Sequence, residues 1–187
     1  GRLVLCSSAY WSGGKLDPIT GKIINEGDRL SRYSYSIISD DHGLSWRIGS
    51  DKIQPRHTTE CSVAQAFHGA GEVYIYSRIW SKTCEGCEGY GRGIAKSVDG
   101  GETFDKAALR GLPDTTPDVE GSFTSALVTD TDAATGRAIN TTCYYVSSPQ
   151  STKRQNLTMQ KSCGPSSPTV WEPPVVVDPG SSSYSAV

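Results

Sequence analysis

The sequence predicts an all-β fold, and three observations predict it. Ser, Thr, Gly, Val and Tyr dominate where long helices would need Ala, Leu, Glu and Lys. Short apolar or alternating segments recur between clusters of Gly, Asp, Ser and Pro. No stretch long enough for a three-turn helix carries clean 3.6-residue periodicity. The 187 residues include 20 Gly and 10 Pro, which is turn-rich without being low-complexity. A formal net charge of −2 excludes a basic nucleic-acid-binding surface as the main role of the chain. No apolar run approaches the roughly 18 to 20 residues of a membrane-spanning helix. The opening GRLVLCSSAYW is read as a strand already under way and not as a signal peptide.

Nine strands are expected in order, at 2–8, 31–39, 62–67, 72–77, 91–97, 122–129, 142–147, 157–162 and 174–177. Between Tyr33 and Ile37 large and small residues alternate, which suits a strand buried on one face. The run from Val73 to Tyr76 is denser in β-branched and aromatic residues, as in a strand covered on both sides. His68 to Gly71 is short enough for a tight hairpin.

Two segments repeat one another. SDDHGLSW, from Ser39 to Trp46, and SVDGGETF, from Ser97 to Phe104, share Ser first, Asp third, Gly fifth and an aromatic eighth. Each follows a strand-like run, and their starts lie 58 residues apart. A degraded third copy begins at Ser162 and runs through Gly164 to Trp171. A period near 60 with about four short strands per repeat suggests propeller blades and not a sandwich. The chemistry of S-x-D-x-G-x-x-W is that of a hairpin knot. The Asp accepts backbone N–H groups of its own turn, Gly supplies positive φ, and the aromatic ring is expected to fold beneath the turn between neighbouring sheets. Asp41 and Asp99 are therefore read as turn-formers and not as catalysts.

These repeats resemble the Asp boxes of sialidases, and further segments resemble that family in the same order along the whole chain. Thr59 to Ala64, TECSVA, resembles the segment carrying the glutamate that assists the nucleophile, here Glu60. Tyr76-Ser-Arg78 resembles the strand end that gives one arginine of the carboxylate-binding triad, and Lys153 to Thr158, KRQNLT, the segment with another, here Arg154. Gly180 to Ser185, GSSSYS, is similar to the motif of the nucleophilic tyrosine, here Tyr184. Ser8-Ala-Tyr10 resembles the start of the family's central blades, and Tyr10 is a candidate for lining the pocket. Glu120 and Ser122 are at most rim residues. The resemblance implies a six-bladed β-propeller, of which residues 1–187 form about half, or about three blades. It implies an exo-α-sialidase that removes terminal sialic acids from glycoproteins, gangliosides or oligosaccharides with retention of configuration. Transfer to another sugar is a variant of the same chemistry.

The chemistry fits those residue types. A sugar whose anomeric carbon bears a carboxylate would repel a carboxylate nucleophile by about 4 kcal/mol at 4 Å for an effective dielectric near 20. A tyrosine avoids that repulsion, but its pKa near 10 calls for a base, and a shift to about 7 corresponds to roughly 4 kcal/mol. A glutamate that takes the phenolic proton supplies the help, and a tyrosine nucleophile is the known sialidase exception to the two-carboxylate rule. Arginine suits the substrate carboxylate because its planar fork binds it bidentately. Arg154 has Lys153 and Arg137 as rivals. Glu60 is read at the mouth of a strand, where an ordinary rim carboxylate would also stand.

The sequence departs from the family in one respect. It carries no early R-I-P-like motif and no catalytic aspartate soon after it, so the resemblance puts the acid/base aspartate and the third arginine outside residues 1–187. A piece of a longer catalytic domain is expected, with a truncated, non-catalytic paralogue as the other reading. Alone it is expected to fold poorly and to show no turnover, having open faces and unpaired edges. A non-enzymatic Asp-box propeller that binds a glycan or protein is the rival class.

No cofactor or metal is implied. His42, His57 and His68 lack metal-ligand spacing, and Cys84-x-x-Cys87 is a lone pair better suited to a local disulfide in an exported protein. Cys61, Cys143 and Cys163 lie on or beside candidate strands and are expected as buried small hydrophobes. Asn140 and Asn156 head N-x-T sequons, and a glycan on Asn156 would crowd Arg154. A secreted or lysosome-like compartment is favoured, with a cytoplasmic or membrane-associated one left open.

Overall fold

A computed structural model describes residues 1–11, 31–53, 58–67, 71–79, 91–107, 112, 121–151, 153–164 and 168–183. Among the described residues, ten strands form three antiparallel sheets. The first sheet joins β1 (Leu3–Trp11), β2 (Ser31–Ser39) and β3 (Arg47–Lys52) in that order. The second joins β4 (Thr58–Gln65), β5 (Val73–Ile79) and β6 (Gly91–Ser97). The third has the order β10-β9-β8-β7, from β7 (Ser122–Thr131), β8 (Ala138–Pro149), β9 (Gln155–Cys163) and β10 (Val175–Ser181). No described helix is long and apolar enough to cross a membrane.

All nine expected strands are present, and β3 is an addition. Its sequence, RIGSDK, has little β-branched or aromatic density. It forms because β2 offers it a free edge, pairing Ile37 with Ile48 and Tyr35 with Lys52. Strand β4 starts four residues earlier than expected, so Glu60 stands within it and not at its mouth. The β4–β5 turn closes with Ala66 N–H donating to Glu72 O at 3.0 Å, and Gly71 takes φ 78°. His68 to Ala70 lie outside the described residues.

The second sheet is the middle layer. Its strand β4 touches β1 and β2 on one side and β7 on the other. Val73 to Tyr76 of β5 are buried on both faces, as their composition predicts. Tyr74 and Tyr76 face the third sheet, where Phe123, Tyr144 and Val146 complete one core, with Trp171 packed against it. The Tyr74 and Tyr144 rings meet edge-on at 5.3 Å, and Phe123 stacks on Tyr144 at 5.9 Å. Ile75, Ile79 and Ala95 face the first sheet in a second core with Ile53 and Ala107.

On β2 the fully buried face carries Ser34, Ser36 and Ile38. Ser34 and Ser36 are each 0 % exposed, whereas Tyr35 and Ile37 are partly exposed. The physical reason is close approach of the middle sheet. Ser34 Oγ donates to Thr59 O at 2.6 Å and Ser36 Oγ to Gly101 O at 2.6 Å. A larger side chain at either serine would push the sheets apart.

Both repeated turns, read from the sequence as Asp boxes, have the expected hydrogen-bonded knot. Asp41 Oδ1 accepts from Ser39 Oγ (2.8 Å) and Ser45 N–H (2.9 Å), and its Oδ2 from Ser45 Oγ (2.6 Å). Asp99 accepts in the same way from Ser97 Oγ, the Glu102 and Thr103 N–H groups and Thr103 Oγ1, at 2.6–3.0 Å. Gly43 and Gly101 have φ 90°, and at the preceding place His42 adopts the left-handed conformation that Gly100 takes in the second copy. The aromatic residues differ. Phe104 packs against the second core, but Trp46 covers its own turn, donating Nε1–H to Gly43 O at 3.1 Å, and stays 43 % exposed. The expectation that it packs between sheets is corrected. In the third copy Gly164 stands where the other two have Asp, and residues 165–167 lie outside the described set.

Charged residues tie the first two sheets together at this end. Arg2 and Arg47 each pair with both Asp40 and Glu102, with Arg2 Nε 2.6 Å from Asp40 and 3.3 Å from Glu102 to Nη1. Hydrogen bonds from Arg2 and Arg47 hold Asp40 below its ordinary pKa, and Arg47 does the same for Glu102.

The knot has a measurable consequence. Hydrogen bonds from Ser45 and Ser39 lower the Asp41 carboxyl to about 2. Burial pushes Asp99 up, but hydrogen bonds from Thr103, Ser97 and Glu102 outweigh it and bring it to about 2. Both folded values lie below the ordinary one, so the stabilisation is complete above the ordinary carboxylate range and is lost as pH falls towards 2. At neutral pH Asp99→Ala is expected to lower stability by about 1 kcal/mol. A thermal melt of the full-length protein would register that as a lowered midpoint.

The cysteine expectation is corrected too. Cys61 is not an isolated small hydrophobe but is bonded to Cys6, joining β4 to β1 across the two sheets. Cys143 is bonded to Cys163, its direct cross-strand neighbour on β9. Spacing could not reveal this, since six cysteines allow about fifteen pairings. Cys84 and Cys87 lie outside the described residues.

Candidate functional site

The described candidate residues lie at the sheet ends opposite the two repeated turns. Ser97, first residue of the second box, pairs with Val73 at one end of the β5–β6 hairpin, while Arg78 pairs with Arg92 at the other. Thr58, at the start of β4, pairs with Ile79 at that same end. On the first sheet, Ser39 pairs with Leu3 at the box end, and Tyr10 pairs with Arg32 at the other. On the third sheet, the β8–β9 turn and the pairing of Gln155 with Ser181 lie at the end where β7 begins.

Glu60 and Arg78 are in contact. Arg78 Nη1 donates to Glu60 Oε1 at 3.0 Å and lies 3.2 Å from Oε2. Thr59 Oγ1 donates to Oε2 at 2.6 Å. The side chains are 12 % exposed for Arg78 and 32 % for Glu60. Burial pushes the Glu60 carboxyl up, but the Thr59 hydroxyl, its own backbone N–H and the Arg78 charge outweigh it, and its pKa is lowered. Glu60 is therefore ionised at neutral pH and able to accept a proton.

A β-bulge aims Glu60 at Arg78. The β4–β5 register passes from Cys61↔Ser77 to Thr58↔Ile79, three steps on β4 against two on β5. The added residue turns the Glu60 side chain out of simple alternation.

Arg154 is exposed and stands on the third sheet, at the turn before β9. Its Nη1 lies 3.5 Å from Ser183 Oγ, and its carbonyl accepts Ser182 N–H at 2.8 Å. The segment leading to Tyr184 is thereby held beside Arg154, while Tyr184 itself lies outside the described residues. The rivals of Arg154 separate by position. Lys153 shares its turn, but Arg137 sits in the β7–β8 turn at the other end of the sheet, its carbonyl accepting Asp132 N–H at 2.8 Å. Tyr10 belongs to β1, and its side chain is outside the description, as is Glu120; Ser122 opens β7.

Sequence reasoning missed Arg92 and Thr59. Arg92 is the cross-strand partner of Arg78, on the same face, and only 4 % exposed. Burial lowers its pKa, and the neighbouring Arg78 charge adds to that. Counting five residues back from Ser97 against the β5 strand would have found it, but only with the hairpin register known. Thr59 adjoins Glu60 in sequence, and a hydroxyl beside a candidate base was a usable signal.

No family model matches the chain. Over 156 residues, 81 % of this chain and 21 % of the relative, the sequence is 30 % identical to a sialidase of Micromonospora viridifaciens. The fold is similar to that of Trypanosoma rangeli sialidase in complex with the inhibitor DANA, with a TM-score of 0.52 and 17 % identity over 84 % of this chain and 23 % of that one. A protein of unknown function from Dyadobacter fermentans has a TM-score of 0.51 and 18 % identity, covering 96 % of this chain and 39 % of that one. These two likenesses concern the fold alone. The chain is similar in sequence to part of a sialidase and has an all-β fold similar to that of a solved sialidase, and it spans 21 % of the length of the curated relative it matches.

Proposed function

We infer that residues 1–187 belong to the catalytic β-propeller of a retaining exo-α-sialidase. The observation that carries this reading is the half-buried Glu60–Arg78 pair at the sheet ends opposite the Asp-box turns, in a chain homologous to a sialidase. Tyr184 is the nucleophile and Glu60 takes its proton. Arg78 and Arg154 hold the substrate carboxylate, and Tyr10 lines the pocket. The aspartate that protonates the leaving oxygen and the third arginine lie outside these residues, and the six-bladed ring needs blades beyond the three sheets described.

The arrangement suits the reaction. An ionised carboxylate beside a neutral phenol lets the nucleophile form without a second negative charge facing the substrate. Guanidinium groups bind the sugar's carboxylate and neutralise the charge that would slow attack at the anomeric carbon. Two disulfides among the described residues support an exported setting, where sialylated glycoproteins, glycolipids and oligosaccharides are exposed.

The test uses the full-length protein that contains this chain. It is expected to hydrolyse an aryl α-sialoside, with the α-anomer of sialic acid appearing first by NMR. A fluorinated sialosyl fluoride, which stalls the glycosyl-enzyme, should leave its mass on the peptide carrying Tyr184. Glycan binding without turnover would favour the non-enzymatic propeller, and a label on another residue would remove Tyr184 from its role.

A further inference from the structure

We propose that the Cys6–Cys61 disulfide, with Ser34, is a positioning clamp for Glu60, so that catalysis depends on the oxidation state of this one bond. The proposal rests on the reading of Glu60 as the base.

Glu60 stands on the bulge, where the β4–β5 ladder is interrupted and cannot by itself fix the strand. Anchors from the first sheet replace it on both flanks. Before Glu60, Thr58 Oγ1 accepts Ser34 N–H at 2.9 Å and donates to Ile53 O at 3.2 Å, and Thr59 O accepts Ser34 Oγ at 2.6 Å. After Glu60, Cys61 is covalently bonded to Cys6. The anchor points sit close together on paired strands, since Cys6 pairs with Ser36 and Ser8 with Ser34. On the other side, Arg78 belongs to a hairpin in unbroken register from Val73↔Ser97 to Ile79↔Gly91. The Arg78 side of the pair is thus fixed by its own sheet, and the Glu60 side by the clamp.

The second disulfide is a built-in control. Cys143 and Cys163 face one another on strands whose ladder is continuous, and the bond lies in the third sheet, away from Glu60. The two bonds close separations of 55 and 20 residues, lengths at which chain-entropy stabilisation differs little. A general loss of stability would follow from opening either one. A loss of Glu60 geometry would follow only from the first.

The experiment titrates the folded full-length protein with dithiothreitol and measures aryl sialoside hydrolysis. Each opened bond takes two electrons and two protons from the dithiol, giving two cysteine thiols and the cyclic disulfide of the reagent. Differential alkylation and mass spectrometry report which bond is open. Opening Cys6–Cys61 is expected to lower kcat about tenfold or more, because misplacement by about 1 Å can cost up to 10²-fold. KM should stay within about twofold, and reoxidation should restore the rate. The Cys143→Ala/Cys163→Ala double variant should keep kcat despite a lower melting temperature. Cys6→Ala/Cys61→Ala should reproduce the reduced enzyme, and Ser34→Ala should lower kcat in the same direction. If the first double variant does not fold, the reductant titration of the native protein decides.

Unchanged kcat with Cys6–Cys61 open overturns the proposal, as does an equal loss on opening Cys143–Cys163 alone. The Glu60→Gln variant separates this from failure of the functional reading. If that variant is fully active, the base assignment falls. If it is inactive while opening the clamp changes nothing, only the clamp falls.

Discussion

Glu60→Gln in the full-length protein is expected to lower kcat by about 10²- to 10⁴-fold, the usual range for a positioned acid or base. Glutamine keeps the length of the side chain, and with its amide oxygen in the place of Oε2 it can still accept from Thr59 Oγ1 and Arg78 Nη1, which lie 2.6 and 3.2 Å from that oxygen. The geometry should therefore survive while the ability to take a proton from Tyr184 is lost. KM should change little, because a base acts on the transition state more than on the bound ground state. Steady-state kinetics on an aryl sialoside check both numbers. A variant with the parent kcat would show that the phenol loses its proton by another route.

Arg78→Ala should lower kcat/KM by about 30- to several-thousand-fold, corresponding to the roughly 2–5 kcal/mol of a truncated, hydrogen-bonded buried charge. Two effects combine. The substrate carboxylate loses a guanidinium ligand, and Glu60 loses the cation that faces it at 3.0 Å. The pH profile tells them apart. In the parent protein the Glu60 pKa is lowered, since Thr59, its own N–H and Arg78 together outweigh burial. Glu60 must be ionised to act, so its acid limb falls below the ordinary carboxylate range. Removing Arg78 leaves burial in place and takes away an opposing charge, so the limb should move to higher pH. A kcat/KM loss with an unmoved limb would mean that Arg78 binds substrate without influencing the base. Arg78→Lys should restore part of the charge effect but little of the bidentate binding.

Much of the scaffold was legible because it is local. The strands from Ser31 to Ser39 and from Gly91 to Ser97 were read with their observed limits, and Val73 to Tyr76 with both faces buried. The Asp-box turns were legible for the same reason: every bond that closes the Asp41 and Asp99 knots spans four residues or fewer. Strand β3 escaped because its stability comes from the open edge of β2 and not from its own RIGSDK composition. The face of β2 escaped as well, since size alternation says which residues share a side but not which side a second sheet will approach. Trp46 shows the same limit, lying over its own turn while Phe104, its counterpart, reaches the core.

By itself the sequence determined the β class, the repeated Asp-box turns and a set of residue types suited to one reaction. Those features depend on composition and on neighbours a few positions away. Only the tertiary structure decided that Glu60 meets Arg78 across 18 positions, that Arg92 lies buried beside them, and that Cys6 bonds to Cys61 across a separation of 55. These pairings depend on strand register, on one bulge in β4 and on how closely two sheets approach. A single-residue slip in any of them would turn the side chains to the opposite face.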